Sequence, residues 1–427
     1  MLDLKYIRDN LEAVRENTRR RNSNADPDRV VALYDERNRL LTSSEALRAR
    51  RNANAQAMKG KLGPEERQGL IEEGKSLKEQ IAAQELALTG IEAELAREAA
   101  RVPNLTHPLA PEGTGEQANR ELKRWGTPPT FSFKPRDHLE LGEALDLVDF
   151  DTATAVSGQK FYYLKNEAAL LELALVRYVF DILKSEGFTL TITPDVAKEE
   201  VVEGIGFHPR GEESNIYTLE GTGTCLIGTA EITLGGYYAN RLLAKESLPI
   251  KVAGLSHCFR REAGAAGQFS KGLYRVHQFT KVEMFIFCRP EQSEALHDYL
   301  LAIEERIFQG LEIPYRVVDT CTGELGGPAY RKFDLEAWMP GRGEAGDWGE
   351  ITSTSNCTDY QARRLAIRYK EEGRSVHVHM LNGTAVAVSR ALIALLENGQ
   401  QADGSVRLPA LLAPYAGFQS IGPRLPA

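Results

Sequence analysis

Apolar positions recur at spacings of three and four from the start of the chain. Leu4, Ile7, Leu11 and Val14 predict an amphipathic helix over residues 2–21, which the run from Asn22 to Pro27 ends. A longer seam follows, in which Val30, Leu33, Leu40, Leu47 and Met58 predict a helix over 28–61, interrupted by Arg37, Ser44, Arg51 and Asn54. Gly60, Gly63 and Pro64 predict a tight turn with the proline in the first turn of the next helix. Over 64–101, Leu70, Leu77, Ile81, Leu88, Ile91 and Leu95 supply the complementary seam, with Gly74 and Gln84 as weak points. Two long helices joined by a short turn run antiparallel, so residues 28–101 are expected to form a coiled-coil arm, roughly 50 Å long at the rise of an α-helix.

The period changes after the arm. Residues 102–126 are rich in Pro and Gly and read as a linker, which sets a helical domain at 1–110 and a larger body at 111–427. In the body, helical patterns near 138–147, 167–185, 290–309 and 385–396 separate strand patterns at 188–193, 225–227, 250–255, 315–318, 329–337, 349–355 and 375–381, with a further strand around Tyr217. Strands in hairpins with helices inserted between them predict an α+β body with a mainly antiparallel sheet. Neither GxxxxGK(S/T) nor a strand-GxGxxG-helix run occurs, so a P-loop and a dinucleotide fold are both unsupported.

One hairpin, within 255–287, carries ionisable groups among β-branched and aromatic residues. Alternation places Phe279, Lys281 and Glu283 on one face and Gln278, Val282 and Met284 on the other. A ring beside a carboxylate suits a flat base next to an ammonium or hydroxyl group. A surface hairpin of solvated ion pairs would carry the same residues.

A hydrophobic fraction of 42% and a charged fraction of 26% describe a globular chain, and a net charge of −8 excludes a uniformly basic coat for nucleic acid. Charge must therefore be read locally. The first limb of the arm is rich in Arg and Lys and the second in Glu, which interhelical pairing explains in about half the cases. Arg48, Arg50, Arg51, Lys59 and Lys61 gather toward the tip, where partners are fewer and phosphates could be gripped. Five scattered cysteines without CxxC spacing give no disulfide framework or zinc ribbon and fit a reducing cytosol. The acidic N-terminus lacks the apolar core of a secretory signal, and no run of about 18 apolar residues predicts a membrane span. A cytoplasmic protein without membrane attachment is the expectation.

Four further constellations carry candidate chemistry. Thr229-Ala230-Glu231 follows the apolar CLIG, where it either continues a strand with both polar side chains on one side or caps a helix. Glu350-Ile351-Thr352-Ser353 offers a carboxylate and a hydroxyl as hard oxygen ligands for Mg²⁺. Thr384 in Asn382-Gly383-Thr384 could cap the helix that follows. Arg390, among Val386, Val388, Leu392 and Leu395, needs a carboxylate or phosphate partner. His377 and His379 share a strand face but lack a third ligand, so packing is the preferred reading.

Taken together, FRREAG with HQFTKVEMF, NGTAVAVSRALIALLENGQ, GFTLTITPDV, LIGTAEI and GEITSTSNCTDYQARR resemble the signature elements of the seryl-tRNA synthetases of bacterial and organellar type, which are class II aminoacyl-tRNA synthetases. The resemblance spans essentially the whole chain, and the arm before the body is an independent match. It implies serine, ATP and Mg²⁺, a homodimer, and tRNA(Ser) recognised by its long variable arm, with tRNA(Sec) a compatible second acceptor. In such a family the arm reaches tRNA bound at the partner's site.

By the same resemblance, Arg260 would hold the serine carboxylate and the α-phosphate, Glu262 would approach the adenine amino group, and Phe279 would stack beneath the adenine opposite Arg390, which would also clamp the γ-phosphate. Arg261, Arg275, Val276, Ile351 and Thr352 complete the expected ATP site, with Glu350 and Ser353 on Mg²⁺. Thr229, Ala230, Glu231, Glu283 and Thr384 would line the serine pocket. Arg260, Glu262 and Arg390 are thus the expected catalytic set.

Relatives commonly have GRDTRG where this chain has GQFSKG at 267–272, which leaves Lys271 as the loop's cation for the tRNA acceptor end. LIG for LIP before Thr229 and VAVSR for LAVGR are milder departures. An RNA-binding paralogue without catalysis and an amino acid:carrier-protein ligase are the competing readings. The retained Arg260, Glu262, Phe279, Glu283, Glu350 and Arg390 argue against the first, and the intact arm against the second.

Overall fold

Asp26 and Pro27 begin the arm: the aspartate side chain accepts from the Arg29 amide at 3.0 Å, and the proline occupies the first helical turn, where its missing N–H costs nothing. The computed structural model describes residues 1–209, 214–262 and 271–423. These divide into two units, Met1–Leu105 and Thr106–Ala427, at a point inside the Pro-rich stretch read as a linker.

In the first unit, α1 (Leu4–Asp9) and α2 (Leu11–Arg20) replace the single helix expected over 2–21. The break falls at Asn10, whose side-chain amide donates to the Tyr6 carbonyl and competes with the helical ladder. The arm is α3 (Pro27–Ala57) and α4 (Pro64–Arg101). Val30, Leu33, Leu77, Ile81 and Leu95 are buried in its seam, and so is Ser44. Arg37 pairs with Glu92 at 3.0 Å, Arg48 with Glu85 at 2.8 Å and Arg50 with Glu73 at 3.1 Å, so partners on α4 fall in number as those on α3 rise, as an antiparallel hairpin requires. The seam's polar member Asn54 is satisfied by the Leu70 carbonyl and Glu73.

The body is built on an eight-stranded sheet. Its strands in chain order are β1 (Arg120–Trp125), β2 (Thr189–Ile192), β3 (Ile250–Phe259), β4 (Gln278–Cys288), β5 (Tyr315–Asp319), β6 (Arg331–Met339), β7 (Asp347–Asn356) and β8 (His379–Ala387). In space they run β1-β5-β6-β7-β8-β4-β3-β2, antiparallel throughout except where β2 lies parallel to β3 at one edge. The helices that frame the sheet are α5 (His138–Ala144), α6 (Asn166–Ser185), α7 (Ala230–Tyr237), α8 (Ser293–Gly310) and α9 (Val388–Gly399). Leu171, Leu175, Leu300, Ile307, Leu392 and Leu396 join Val282, Met284 and Ile286 in the main core.

Two expectations for the body are corrected. Residues 120–125 lie in the supposed linker yet form β1. All six are exposed at the sheet edge, so no apolar alternation marks them in the sequence. The strand expected at 375–381 is two: Arg374–His377 pairs with Arg368–Glu371 in a separate small sheet, which parts His377 from His379, while β8 begins at His379 and reaches Ala387, and the helix starts at Val388. Thr384 therefore sits in the strand opposite Glu283 and does not cap the helix. Thr384 and Val386 are β-branched, and extended pairing between two neighbours suits them better than a helical start.

Candidate active site

Local irregularities in the sheet decide which side chains meet. Strict alternation on β4 sets Phe279, Lys281 and Glu283 on one face. The partner β8 bulges: Val282 pairs with Val386 but Glu283 with Thr384, so Ala385 is the extra residue and Thr384 turns to the same side as Ala387. A second bulge on β7 leaves Leu335 opposite Thr352 and Glu336 opposite Glu350. Glu350 and Ser353, three apart, thereby face one way. The resulting pocket is lined by Arg260, Glu262, Tyr274, Arg275, Val276, Phe279, Lys281, Glu350, Ile351, Thr352, Thr384, Ala387, Ser389 and Arg390.

At one end sit two guanidinium groups. Arg260 follows the last residue of β3, donates from Nε to the Gly228 carbonyl at 3.2 Å and lies 5.2 Å over the Phe279 ring. Arg390, in the first turn of α9, donates to the Glu350 carbonyl at 3.0 Å, lies 3.2 Å from its carboxylate and stacks 4.7 Å over Tyr274. Burial pushes the Glu350 carboxyl up, but Arg390, Lys332 and Arg260 outweigh it and hold the group below the usual carboxylate range. Glu262 has φ of 51°, uncommon outside glycine, and accepts from Arg275 at 2.9 Å.

Next to this pocket, joined to it through Lys281 and Thr384, is a buried polar cluster. Thr229 caps α7, its hydroxyl accepting from the Glu231 amide at 3.3 Å, so the capping alternative is the one realised. Glu231 accepts from Gln361 at 2.6 Å and Asn382 at 2.9 Å. Burial, then the neighbouring Glu283, push its carboxyl up to about 7. Lys281 is buried, donates to the Thr229 hydroxyl at 2.7 Å and pairs with Glu283, to which the Thr384 hydroxyl donates at 3.3 Å.

Beside Glu350, the Ser353 hydroxyl donates to Asp334, and one oxygen of that buried aspartate has no hydrogen-bond partner among the described residues. Among those residues no three His, Cys, Asp or Glu side chains form a protein-only metal cage. Carboxylate and hydroxyl oxygens with an unpartnered oxygen alongside fit a hard cation that keeps positions for water and phosphate, the habit of Mg²⁺.

Known proteins resemble this chain over its whole length. Residues 1–106 match the seryl-tRNA synthetase N-terminal domain, and residues 217–399 match the tRNA synthetase class II core domain (G, H, P, S and T). A serine–tRNA ligase of Treponema denticola is 62% identical over 423 residues, 99% of this chain and 100% of that protein. The chain belongs to the seryl-tRNA synthetase family. Another serine–tRNA ligase of the family, from Rubrobacter xylanophilus, is 57% identical over 99% of both chains. The crystal structure of seryl-tRNA synthetase from Pyrococcus horikoshii complexed with ATP superposes with a TM-score of 0.92 at 39% identity, covering 100% of both chains. A cytoplasmic serine–tRNA ligase from Naegleria fowleri in complex with AMP gives 0.87 at 31%, over 100% of this chain and 99% of that one.

Most of the residues that the family resemblance singled out converge here, with exceptions. Arg261 is exposed and does not line the pocket; its backbone N–H donates to the Asn215 carbonyl. Val276, Ile351 and Thr352 line the pocket, and Ala230 is fully buried at the start of α7. Arg390 lies over Tyr274, while Arg260 is the cation on Phe279. Lys271 pairs with Asp137, the cap of α5. Of the altered loop, residues 267–270 lie outside the described residues. In the arm, Arg48 and Arg50 are engaged by Glu85 and Glu73, whereas Arg51, Lys59 and Lys61 are exposed. Sequence reasoning missed Lys281, Tyr274, Asp334, Gln361 and Asn382 as site residues. Alternation already set Lys281 beside Phe279 and Glu283, but nothing local marks the other four.

Proposed function

We propose that this chain is an ATP-dependent serine–tRNA ligase acting through seryl-adenylate. The observation that carries the reading is a pocket lined by Arg260, Phe279 and Arg390 whose lining residues Lys281 and Thr384 bond directly to a buried cluster of Thr229, Glu283 and the adjacent Glu231. A nucleotide against the first and a small polar amino acid against the second would lie end to end.

In the first step the serine carboxylate attacks the α-phosphorus, the new O–P bond forms, and the bond to the pyrophosphate oxygen breaks. Such a step depends on positioning two anions and neutralising charge as it develops, work suited to guanidinium groups aimed from fixed elements. Arg260, seated on Gly228 and Phe279, would hold both the carboxylate and the α-phosphate. Phe279 would offer the adenine a ring, Glu262 with Arg275 would border it, and Arg390 would meet the outer phosphates. Glu350 and Ser353 would hold Mg²⁺, which when bound offsets phosphate charge. In the second step a terminal ribose hydroxyl of tRNA attacks the serine carbonyl and AMP leaves. A pocket that hydrogen-bonds the serine hydroxyl rejects alanine, because buried polar groups would be left unpaired.

The exposed cations of the arm, Arg51, Lys59 and Lys61, with Arg48 and Arg50 behind them, support a phosphate grip on the long variable arm of tRNA(Ser). A homodimer is supported by apolar exposure on α6 and the edge strand β2, where Leu170 is 50%, Leu173 68% and Ile192 78% exposed. No helix of the described residues is long and apolar enough to cross a membrane.

Serine-dependent ATP/pyrophosphate exchange, followed by charging of tRNA with and without its long variable arm, tests the reading. Exchange and arm-dependent charging are expected; absence of exchange overturns it.

A further inference from the structure

The activation chemistry above makes no use of Lys281, yet this side chain is only 5% exposed, between Thr229 and Glu283. A buried ammonium is costly unless it is fully engaged, and this one is: it pairs with Glu283 and donates to Thr229 at 2.7 Å. Across the pocket Glu231, also buried, is held by the neutral amides of Gln361 and Asn382, and no cation among the described residues lies within ion-pair distance of it. With all three groups ionised, two carboxylates face one ammonium, and the pocket is short of a single positive charge. An incoming α-ammonium supplies it.

We infer that Lys281 is a positioning residue of the amino-acid pocket, a resident cation that saturates Glu283 and so directs the ammonium of the substrate to Glu231. Glu283, occupied by Lys281 and by the Thr384 hydroxyl, is left to face the side chain of the substrate. An amino acid then enters in one orientation. Without the lysine the pocket holds two uncompensated carboxylates, and the ammonium can dock on either. The inference rests on the serine-activation reading.

The charge environment agrees. Glu231 must be ionised to take an ammonium, and its carboxyl stands at about 7 because burial and then Glu283 raise it while Lys281 lowers it. The other ionisable groups facing this cluster are Cys258 on β3, raised by burial; Glu304 from α8, held well above the usual range by burial; and Arg260 and Glu350 toward the nucleotide end. None of these places a second cation beside Glu231.

The test is pyrophosphate exchange by the full-length enzyme between pH 5.5 and 8.5, with serine and with alanine. In the wild type, KM for serine should rise about tenfold per pH unit below about 7 while KM for ATP stays flat, as expected when the binding group must ionise. Lys281→Met should raise serine KM by about tenfold or more, shift the acid limb upward by roughly one pH unit and lower the preference for serine over alanine by about tenfold, with KM for ATP within about twofold of wild type. Lys281→Ala supplied with ethylammonium should regain serine KM and discrimination, which a merely structural role would not allow. A folded Lys281→Met enzyme with the wild-type acid limb and discrimination overturns the inference. If neither variant folds, the wild type decides: a serine KM independent of pH over this range overturns it. Absence of serine-dependent exchange in the wild type instead overturns the functional reading itself.

Discussion

Arg390 makes three contacts that no ammonium could make together: the Glu350 carbonyl, the Glu350 carboxylate and the face of Tyr274. A planar guanidinium satisfies all three and still turns an edge toward the pocket. Arg390→Lys is therefore expected to lower kcat for exchange by about 10²- to 10³-fold with little change in melting temperature, the scale of losing one preorganised charge donor; steady-state kinetics beside a thermal melt checks it. Phe279→Ala removes a ring already paired with Arg260, so KM for ATP should rise by roughly tenfold, about 1–2 kcal/mol of stacking, while KM for serine changes less. What the sequence reveals at this scale follows the period. Phe279, Lys281 and Glu283 are two apart on one strand, and alternation alone puts them together. Glu350 and Ser353 are three apart and would face opposite ways on a regular strand; only the bulge on β7 aligns them. Gln361 and Asn382 reach Glu231 from positions more than a hundred residues distant, and no local pattern announces that meeting.

The arm is the element whose sequence is easiest to read, because a seam of repeated apolar residues and a Gly-Pro turn are both local signals. Its weak points are local too. Gly69 and Gly90 lie within α4 with nothing inside 4 Å of where a Cβ would stand, so each costs helix stability without a packing reason. Gly69→Ala and Gly90→Ala should each stabilise the arm by about 0.5–1 kcal/mol, slowing hydrogen exchange of nearby α4 amides by up to about fivefold and leaving pyrophosphate exchange unchanged. Gly74→Ala should gain less, since its Cβ would come within 3.3 Å of the Asn54 side chain. The elements that escaped sequence reading are those without a periodic apolar face. Strand β1 is exposed along its whole length and lacks one, and the β8–α9 junction is misplaced because Thr384 and Arg390 suggest a cap and a helix start inside a strand.

At the scale of the molecule the balance of charge is acidic, so binding a polyanion must depend on where the cations lie and on how the chains assemble. Leu173 on α6 and Ile192 on the edge strand β2 leave apolar surface in water, and a homodimer would cover it; Leu173→Glu with Ile192→Glu should shift sedimentation to the mass of one chain. The arm gives the sharper prediction. Arg48 and Arg50 are partly neutralised by Glu85 and Glu73, so their contribution to binding phosphates is reduced by the partners they would have to leave. Among the described residues Arg51, Lys59 and Lys61 have no such competitor, and they are exposed near the turn. Replacing these three with glutamine should reduce the salt slope of tRNA(Ser) binding by roughly two to three, about one for each phosphate no longer neutralised, and weaken binding at low salt most. Replacing Arg48 and Arg50 should reduce the slope by less. Serine-dependent pyrophosphate exchange, which needs no tRNA, should be equal in all of these variants, and a slope unchanged by the triple replacement would place the tRNA grip elsewhere on the chain.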